Sequence, residues 1–358
     1  MQMIRDIGQM FMVGFRGCEV GADHWLAGAI ERDNLGGVIL FDRNVDRSVQ
    51  NIASPEQLRQ LTAALQERAG RAGTPLFVAV DQEGGKVCRL KERDGFAPSR
   101  SAADLAQEGA EAVARHAEAL AAELAGCGVN LNFAPVADLD LNPDNPIIGR
   151  YQRSFGADPA TVAAHAHAVI AAHHRHGVGC CLKHFPGHGS AGSDSHLGFV
   201  DVTDCWQPLE LEPYRCLLAA GYNDGIMTAH LVNRRLDPSG LPATLSPLVI
   251  EGMLRRDLGF TGVAFSDDLQ MRAISNGWGA AEAVQRAVLA GVDVLVIGNN
   301  LDPREDALQV GIRAVLDLLD SGRIDGQRIK SSLARIARFK EILTGKRPWK
   351  PLVPPTAW

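Results

Sequence analysis

Fourteen consecutive residues, KHFPGHGSAGSDSH (183–196), hold three His, a Lys and an Asp strung on Gly and Ser, directly after the apolar run VGCCL. A stable core has no use for that mixture. As a metal site, His184 and His188 are four apart, but Pro186 and the flanking glycines exclude the helix that would align them. His184, His188, Asp194, His196 and His230 could then meet around a metal only through loop folding. As an acid/base device, Asp194 and His196 stand two apart, so the carboxylate can hold one imidazole nitrogen while the other faces a substrate. As a plain solvated loop, the stretch is too dense in His, Gly and Asp. Gly187, Gly189 and Gly192 would let it reach out and move.

Three further motifs carry chemically competent groups. FSDDLQM (265–271) sets Asp267 beside Asp268 at the end of an apolar run. Alternation along a strand turns one of the two into the mouth and the other toward a supporting partner. The inward one could act as a carboxylate nucleophile toward an anomeric carbon, and two solvated acids are the plain alternative. DQEGGKVCRL (81–90) turns through Gly84 and Gly85, with Asp81 able to accept from sugar hydroxyls and Arg89 able to donate. IIGRYQRSFG (147–156) puts Arg153 beside Phe155, a charged donor against an apolar wall.

What must position these groups is legible as a repeat of short apolar runs: FMVGF (11–15), GVILF (37–41), LFVAV (76–80), VNLNFAPV (129–136), VGCCL (178–182), GIMTA (225–229), GVAFS (262–266) and VDVLVIG (292–298). Stretches of helical period separate them, among them residues 54–69, 108–127 and 159–176. Eight strands alternating with helices predict an α/β chain folded as a single (β/α)8 TIM-type barrel rather than a doubly wound sheet. Asp81, Glu83, Asp138, Lys183, His184, His230, Asp267, Asp268 and Asn299 all fall just past these runs, and only a barrel brings so many strand ends to one mouth. The expected organisation is a catalytic domain over residues 1–345 and a Pro-rich tail, 346–358, lying extended on the surface. His173, His174 and His176, on a helix, are expected to face solvent, and Cys180 and Cys181 to be buried packing.

Composition narrows the function classes. With 46% hydrophobic residues, 22% charged and a net charge of -6 without a basic block, the chain is expected to bind neither nucleic acid nor an anionic membrane surface. Small molecules are the expected partners, and a monomer the expected state. Seven scattered Cys form neither a disulfide framework nor a CxxC pair, which fits a reducing cytoplasm. The N-terminal residues lack the pattern of a secretory signal, and no apolar stretch is long enough to span a membrane.

Taken in order, KHFPGHG with DSH, supported by DQEGG, RSFG and SDD, resembles the family 3 glycoside hydrolases, specifically the single-domain bacterial β-N-acetylhexosaminidases of peptidoglycan recycling, from about Gly8 to Leu343. The resemblance implies retaining hydrolysis with Asp267 as nucleophile, His196 as general acid/base and Asp194 orienting it. It implies that Asp81, Arg89, Arg153, Lys183 and His184 hold a terminal N-acetylglucosamine, β-1,4-linked to the 1,6-anhydro-N-acetylmuramic acid of a muropeptide. No metal or organic cofactor is implied. Two departures stand out: Ser190-Ala191 where the pattern has an acid and a Thr, and RYQ before RSFG. A β-glucosidase or phosphorylase of the same family, a metal-dependent barrel hydrolase and an inactive sugar-binding barrel are the alternatives.

Overall fold

All eight apolar runs form parallel strands in the computed structural model, which describes residues 2–194 and 198–353. We number the barrel strands β1 (Phe11–Val13), β2 (Gly37–Leu40), β3 (Phe77–Val80), β4 (Leu131–Asn132), β5 (Gly179–Phe185), β6 (Gly225–Thr228), β7 (Val263–Ser266) and β8 (Leu295–Ile297). Each pairs with the next, and β8 returns to β1 through the register Phe11 with Leu295. The last gap is closed by a parallel bridge between Phe265 and Val294, with Ser266 N–H donating to Val294 O at 2.9 Å. The expected TIM-type barrel is the fold observed.

Helices fill the crossovers, and their ends follow from local chemistry. In Pro55–Ala72, Ser54 accepts the Gln57 N–H, proline occupies the first turn, and Gly73 terminates the helix at φ 89°. In Pro159–Arg175, Asp158 caps the same way through the Thr161 N–H. A second parallel pair, Val200–Asp201 with Leu231–Val232, lies outside the barrel.

The barrel interior is filled by aromatic rings. Phe265 meets Phe77 and Phe133 edge to face, with centroids 5.9 and 5.7 Å apart. Room for them comes from glycines on neighbouring strands: a Cβ on Gly225 would lie 2.8 Å from the Phe265 ring, and one on Gly37 2.8 Å from Phe77 Cβ.

Strand β5 departs from its expected span. It runs three residues past Leu182, so Lys183 and His184 are part of the strand rather than of the loop after it, and its pairing with β6 shifts register between Leu182 and Phe185. The polar side chains obscured this extension, because buried partners rather than apolar packing hold them there.

Helix Pro159–Arg175 corrects a second expectation. His173 is fully buried, on the inward stripe Val162, Ala166, Ile170, His173, with Nδ1 2.9 Å from Val169 O and Nε2 3.0 Å from Asn132 Nδ2. Burial pushes its pKa down to about 4. His174 pairs with Asp224 at 2.7 Å and stacks on Trp349 at 3.7 Å between centroids, so the tail clamps this helix. Farther along, Val353 N–H donates to Ala220 O. His176 reaches Glu118 at 2.7 Å. Cys180 and Cys181 are buried as expected. Among the described residues no helix is long and apolar enough to cross a membrane.

At the N-terminal end of the barrel, Lys340 donates to Gln9 Oε1 at 2.8 Å and Gly36 O at 2.7 Å, and lies 4.8 Å over the Phe77 ring. Burial pushes its pKa from the ordinary 10.5 to about 7. The unfolded chain therefore binds this proton more strongly, and folding stability should rise with pH between about 7 and 10.5. Urea unfolding at both ends of that window should show the rise in the wild type, by a few kcal/mol at most, and much less in Lys340→Met. Parallel pH profiles would contradict it.

Candidate active site

The turn after β3 is set by a buried amide. Gln82 Oε1 accepts the N–H groups of Arg89 and Leu90 at 2.8 and 3.0 Å, closing the loop that Gly84 and Gly85 permit with φ of 105° and 59°. Asn132 of β4 ties the same residue down, accepting Gln82 N–H and donating to Gln82 O, each at 3.0 Å. Asp81 and Glu83, on either side of Gln82, are thereby held in place.

Both carboxylates meet Lys183. Its Nζ lies 2.7 Å from Asp81 Oδ1 and 2.6 Å from Glu83 Oε1, on a side chain only 2% exposed. Glu83 also takes a two-pronged contact from Arg153, Nε at 2.7 Å and the terminal nitrogen at 2.8 Å. Arg89 approaches Asp81 Oδ2 at 3.5 Å and lies over the Phe41 ring. The result is an alternating chain, Arg153, Glu83, Lys183, Asp81, Arg89, with three positive charges against two negative.

Burial alone would raise the two carboxyl pKa values and lower that of the ammonium. The charges win: Lys183 and Arg89 hold Asp81 below its ordinary value, Arg153 and Lys183 hold Glu83 well below, and the two carboxylates hold Lys183 above. Asp81, Glu83 and Lys183 therefore stay ionised through neutral pH. Carboxyl values depressed in the folded state give stability that is present above about pH 4 and lost as pH falls further.

A second cluster sits beside the first. His184 Nδ1 lies 2.7 Å from Asp138 Oδ2, and Arg153 donates to His184 Nε2 at 3.2 Å. A guanidinium can only donate, so Nε2 carries the lone pair and Nδ1 the proton. Asp138 also accepts the backbone N–H of His184, and that of His188 at 2.8 Å. Burial pushes the His188 imidazole down to about 4. His188 thus helps hold the loop through its main chain.

The glycines of this loop act differently from expectation. A Cβ on Gly189 would come within 1.7 Å of Leu139 O, and one on Gly187 within 2.5 Å of Glu210 Cβ, so both serve close packing rather than motion. Gly192, by contrast, has open space around its Cβ position.

Strand β7 delivers the acids on the other side. Asp267 Oδ1 accepts the Asp268 N–H at 2.8 Å, and Asp268 Oδ1 accepts from Gly298 and Gln270 at 2.8 and 3.0 Å. His230 buttresses this end, its Nε2 2.9 Å from Asp268 O. Between β3 and β7 opens a cavity of about 240 Å³, with Asp81, Arg89, Asp267 and Asp268 in its wall and Ile39, Phe133, Met227 and Val296 beneath.

The structure therefore brings Asp81, Arg89 and Asp267 to one cavity, and sets Lys183, Arg153 and His184 as a buried layer supporting Asp81. Asp194 is half-buried, and His196 lies outside the described residues. The RYQ segment is a turn with Gln152 at φ 55°, which sends Tyr151 outward toward Lys86 while Arg153 enters the interior.

Sequence reasoning gave no role to the bridging Glu83, to Asp138, or to the cavity wall from the loops after β2 and β8, where Phe41, Arg43 and Asn300 lie. Their position just past a strand end was the available signal. Asn299, noted on that ground, instead shapes the β8 loop by exchanging hydrogen bonds with the Arg304 backbone. Among the described residues no group of His, Cys, Asp or Glu is arranged to hold a metal ion.

This architecture has close counterparts. The Glycosyl hydrolase family 3 N terminal domain matches residues 3–339. A beta-hexosaminidase from Tolumonas auensis is 38% identical over 317 residues, covering 87% of this chain and 86% of the relative; one from Nitrosomonas eutropha is 34% identical, covering 86% of both. The chain spans about half, 54%, of the longer beta-hexosaminidase A of Pseudoalteromonas piscicida. Among solved structures, a family 3 beta-N-acetylglucosaminidase from Paenibacillus sp. superposes with a TM-score of 0.86 at 35% identity, covering 98% of this chain and 64% of that one. A beta-N-acetylhexosaminidase from Beutenbergia cavernae gives 0.83 at 29%, covering 95% and 98%. From the closed barrel, the strand-end acids and the match over nearly its whole length, this chain belongs to glycosyl hydrolase family 3 and is a glycoside hydrolase.

Proposed function

We propose that the protein is a retaining exo-β-N-acetylglucosaminidase that removes terminal β-1,4-linked N-acetylglucosamine from muropeptides ending in 1,6-anhydro-N-acetylmuramic acid, in the cytoplasm, during cell-wall recycling. One observation carries the reading. A cavity of about 240 Å³ has Asp81 and Arg89, the open end of a buried chain of alternating charges, on one wall and Asp267 on the other. That volume lies below the roughly 300–1,000 Å³ of pockets that take drug-sized ligands, and suits one sugar ring at a chain end. Asp81 and Arg89 offer an acceptor and a donor to its hydroxyls, backed by Lys183. The sugar is inferred from the names of the relatives, and the muropeptide from the motif resemblance.

In the first step an Asp267 carboxylate oxygen bonds to the anomeric carbon as the bond to the leaving oxygen breaks, and His196 gives that oxygen its proton. In the second, water attacks the same carbon, His196 takes its proton, and Asp267 departs. Two inversions leave the anomeric configuration as it was.

Trapping with a fluorinated N-acetylglucosamine donor, followed by peptide mass spectrometry, tests the assignment. The expected label is on Asp267. A label on Asp268, or none despite turnover, would overturn it.

A further inference from the structure

The loop leading from β5 toward Asp194 is gripped from two sides. The β4 loop supplies Asn145, whose Nδ2 donates to His188 O at 2.8 Å and Gly189 O at 3.1 Å, and Asn142, which donates to Ala191 O at 3.0 Å. Opposite stands Glu210 in the 3-10 turn Pro208–Leu211, with no exposed surface. Its carboxylate accepts the N–H groups of Gly189 at 3.0 Å, Ser190 at 3.4 Å and Gln207 at 3.2 Å, and the Ser190 hydroxyl at 2.6 Å.

Among the described residues no Lys or Arg pairs with Glu210. A buried carboxylate satisfied only by neutral donors is costly, and one aimed at successive backbone N–H groups imposes a single course on the chain that supplies them. Ser190 belongs to this arrangement. An acid at this position would set two carboxylates against each other, whereas the hydroxyl donates.

We propose that Glu210, matched by Ser190, is a positioning residue for proton donation: it fixes residues 187–191, from which the chain continues to Asp194 and His196. The proposal rests on reading His196 as the general acid. Glu210 touches no substrate and acts through the course of the main chain. Misplacement of a reacting group by about 1 Å can cost on the order of 10²-fold.

The test compares two substrates, an activated aryl N-acetylglucosaminide and an unactivated N-acetylglucosamine disaccharide, for the wild type, Glu210→Gln, Ser190→Ala and His196→Ala. Only the unactivated leaving group needs a proton. Glu210→Gln should lose about 10- to 100-fold in kcat/KM, which reports the first step and not the water attack common to both substrates, on the disaccharide and only about threefold on the aryl substrate. Ser190→Ala should shift the ratio the same way by less than about tenfold. Equal losses on both substrates, or none, would overturn the proposal. If Glu210→Gln fails to fold, Ser190→Ala decides by the same ratio. A His196→Ala variant that discriminates while the other two do not removes only the Glu210 proposal; one that does not discriminate removes the reading of His196.

Discussion

Asp267→Ala is expected to lower kcat by on the order of 10⁴-fold or more while the protein stays folded. Its neighbours in the cavity wall are engaged elsewhere: Asp268 accepts the N–H groups of Gly298 and Gln270, Asp81 pairs with Lys183 and Asp42 with Lys91. Folding should survive, because Asp267 lines a cavity rather than the packed core. Azide offers a sharper readout. A small anion entering the vacated space would attack from the nucleophile's side, and an activated aryl substrate would yield the inverted glycosyl azide. Rescue with retained configuration, or residual activity near that of the wild type, would remove Asp267 from the nucleophile's role.

Lys183→Met should have the largest effect on stability. It removes the ammonium 2.7 Å from Asp81 and 2.6 Å from Glu83, leaving Arg153 paired with Glu83 and Arg89 near Asp81 to balance two buried carboxylates. Breaking a buried pair costs about 3–5 kcal/mol. The sign of its pH dependence is distinctive. In the wild type the depressed carboxyl values stabilise the fold above about pH 4. In the variant those groups gain protons more readily, so the gap between the two proteins should be widest at neutral pH and narrow toward pH 4. Adding Asp81→Asn to Lys183→Met should recover part of the loss. Denaturant unfolding across this range checks both statements, and a gap that does not change with pH would show that Lys183 acts through packing alone.

How far the site can be read from the chain follows from how local each determinant is. The strand runs, the helix caps at Ser54 and Asp158, and the acids past β3 and β7 are written in neighbouring residues. The end of β5 was misread because Lys183 and His184 look like loop residues until Asp81, Glu83 and Asp138 are placed beside them. His173 was misread because histidine suits a surface, and only Asn132 across the barrel wall makes it interior. The glycines at 187 and 189 read as freedom, but Glu210 and Leu139 make them contact points.

By itself the sequence determined the barrel, the strand ends that furnish its chemistry and the family pattern, because alternating apolar periods and short motifs are local properties of the chain. Only the tertiary structure decided which of those strand-end groups face the cavity and which stand behind it. That choice depends on pairing between side chains as far apart as Asp81 and Lys183, or Ser190 and Glu210, where burial makes an unpartnered charge prohibitive and the partner sets the role.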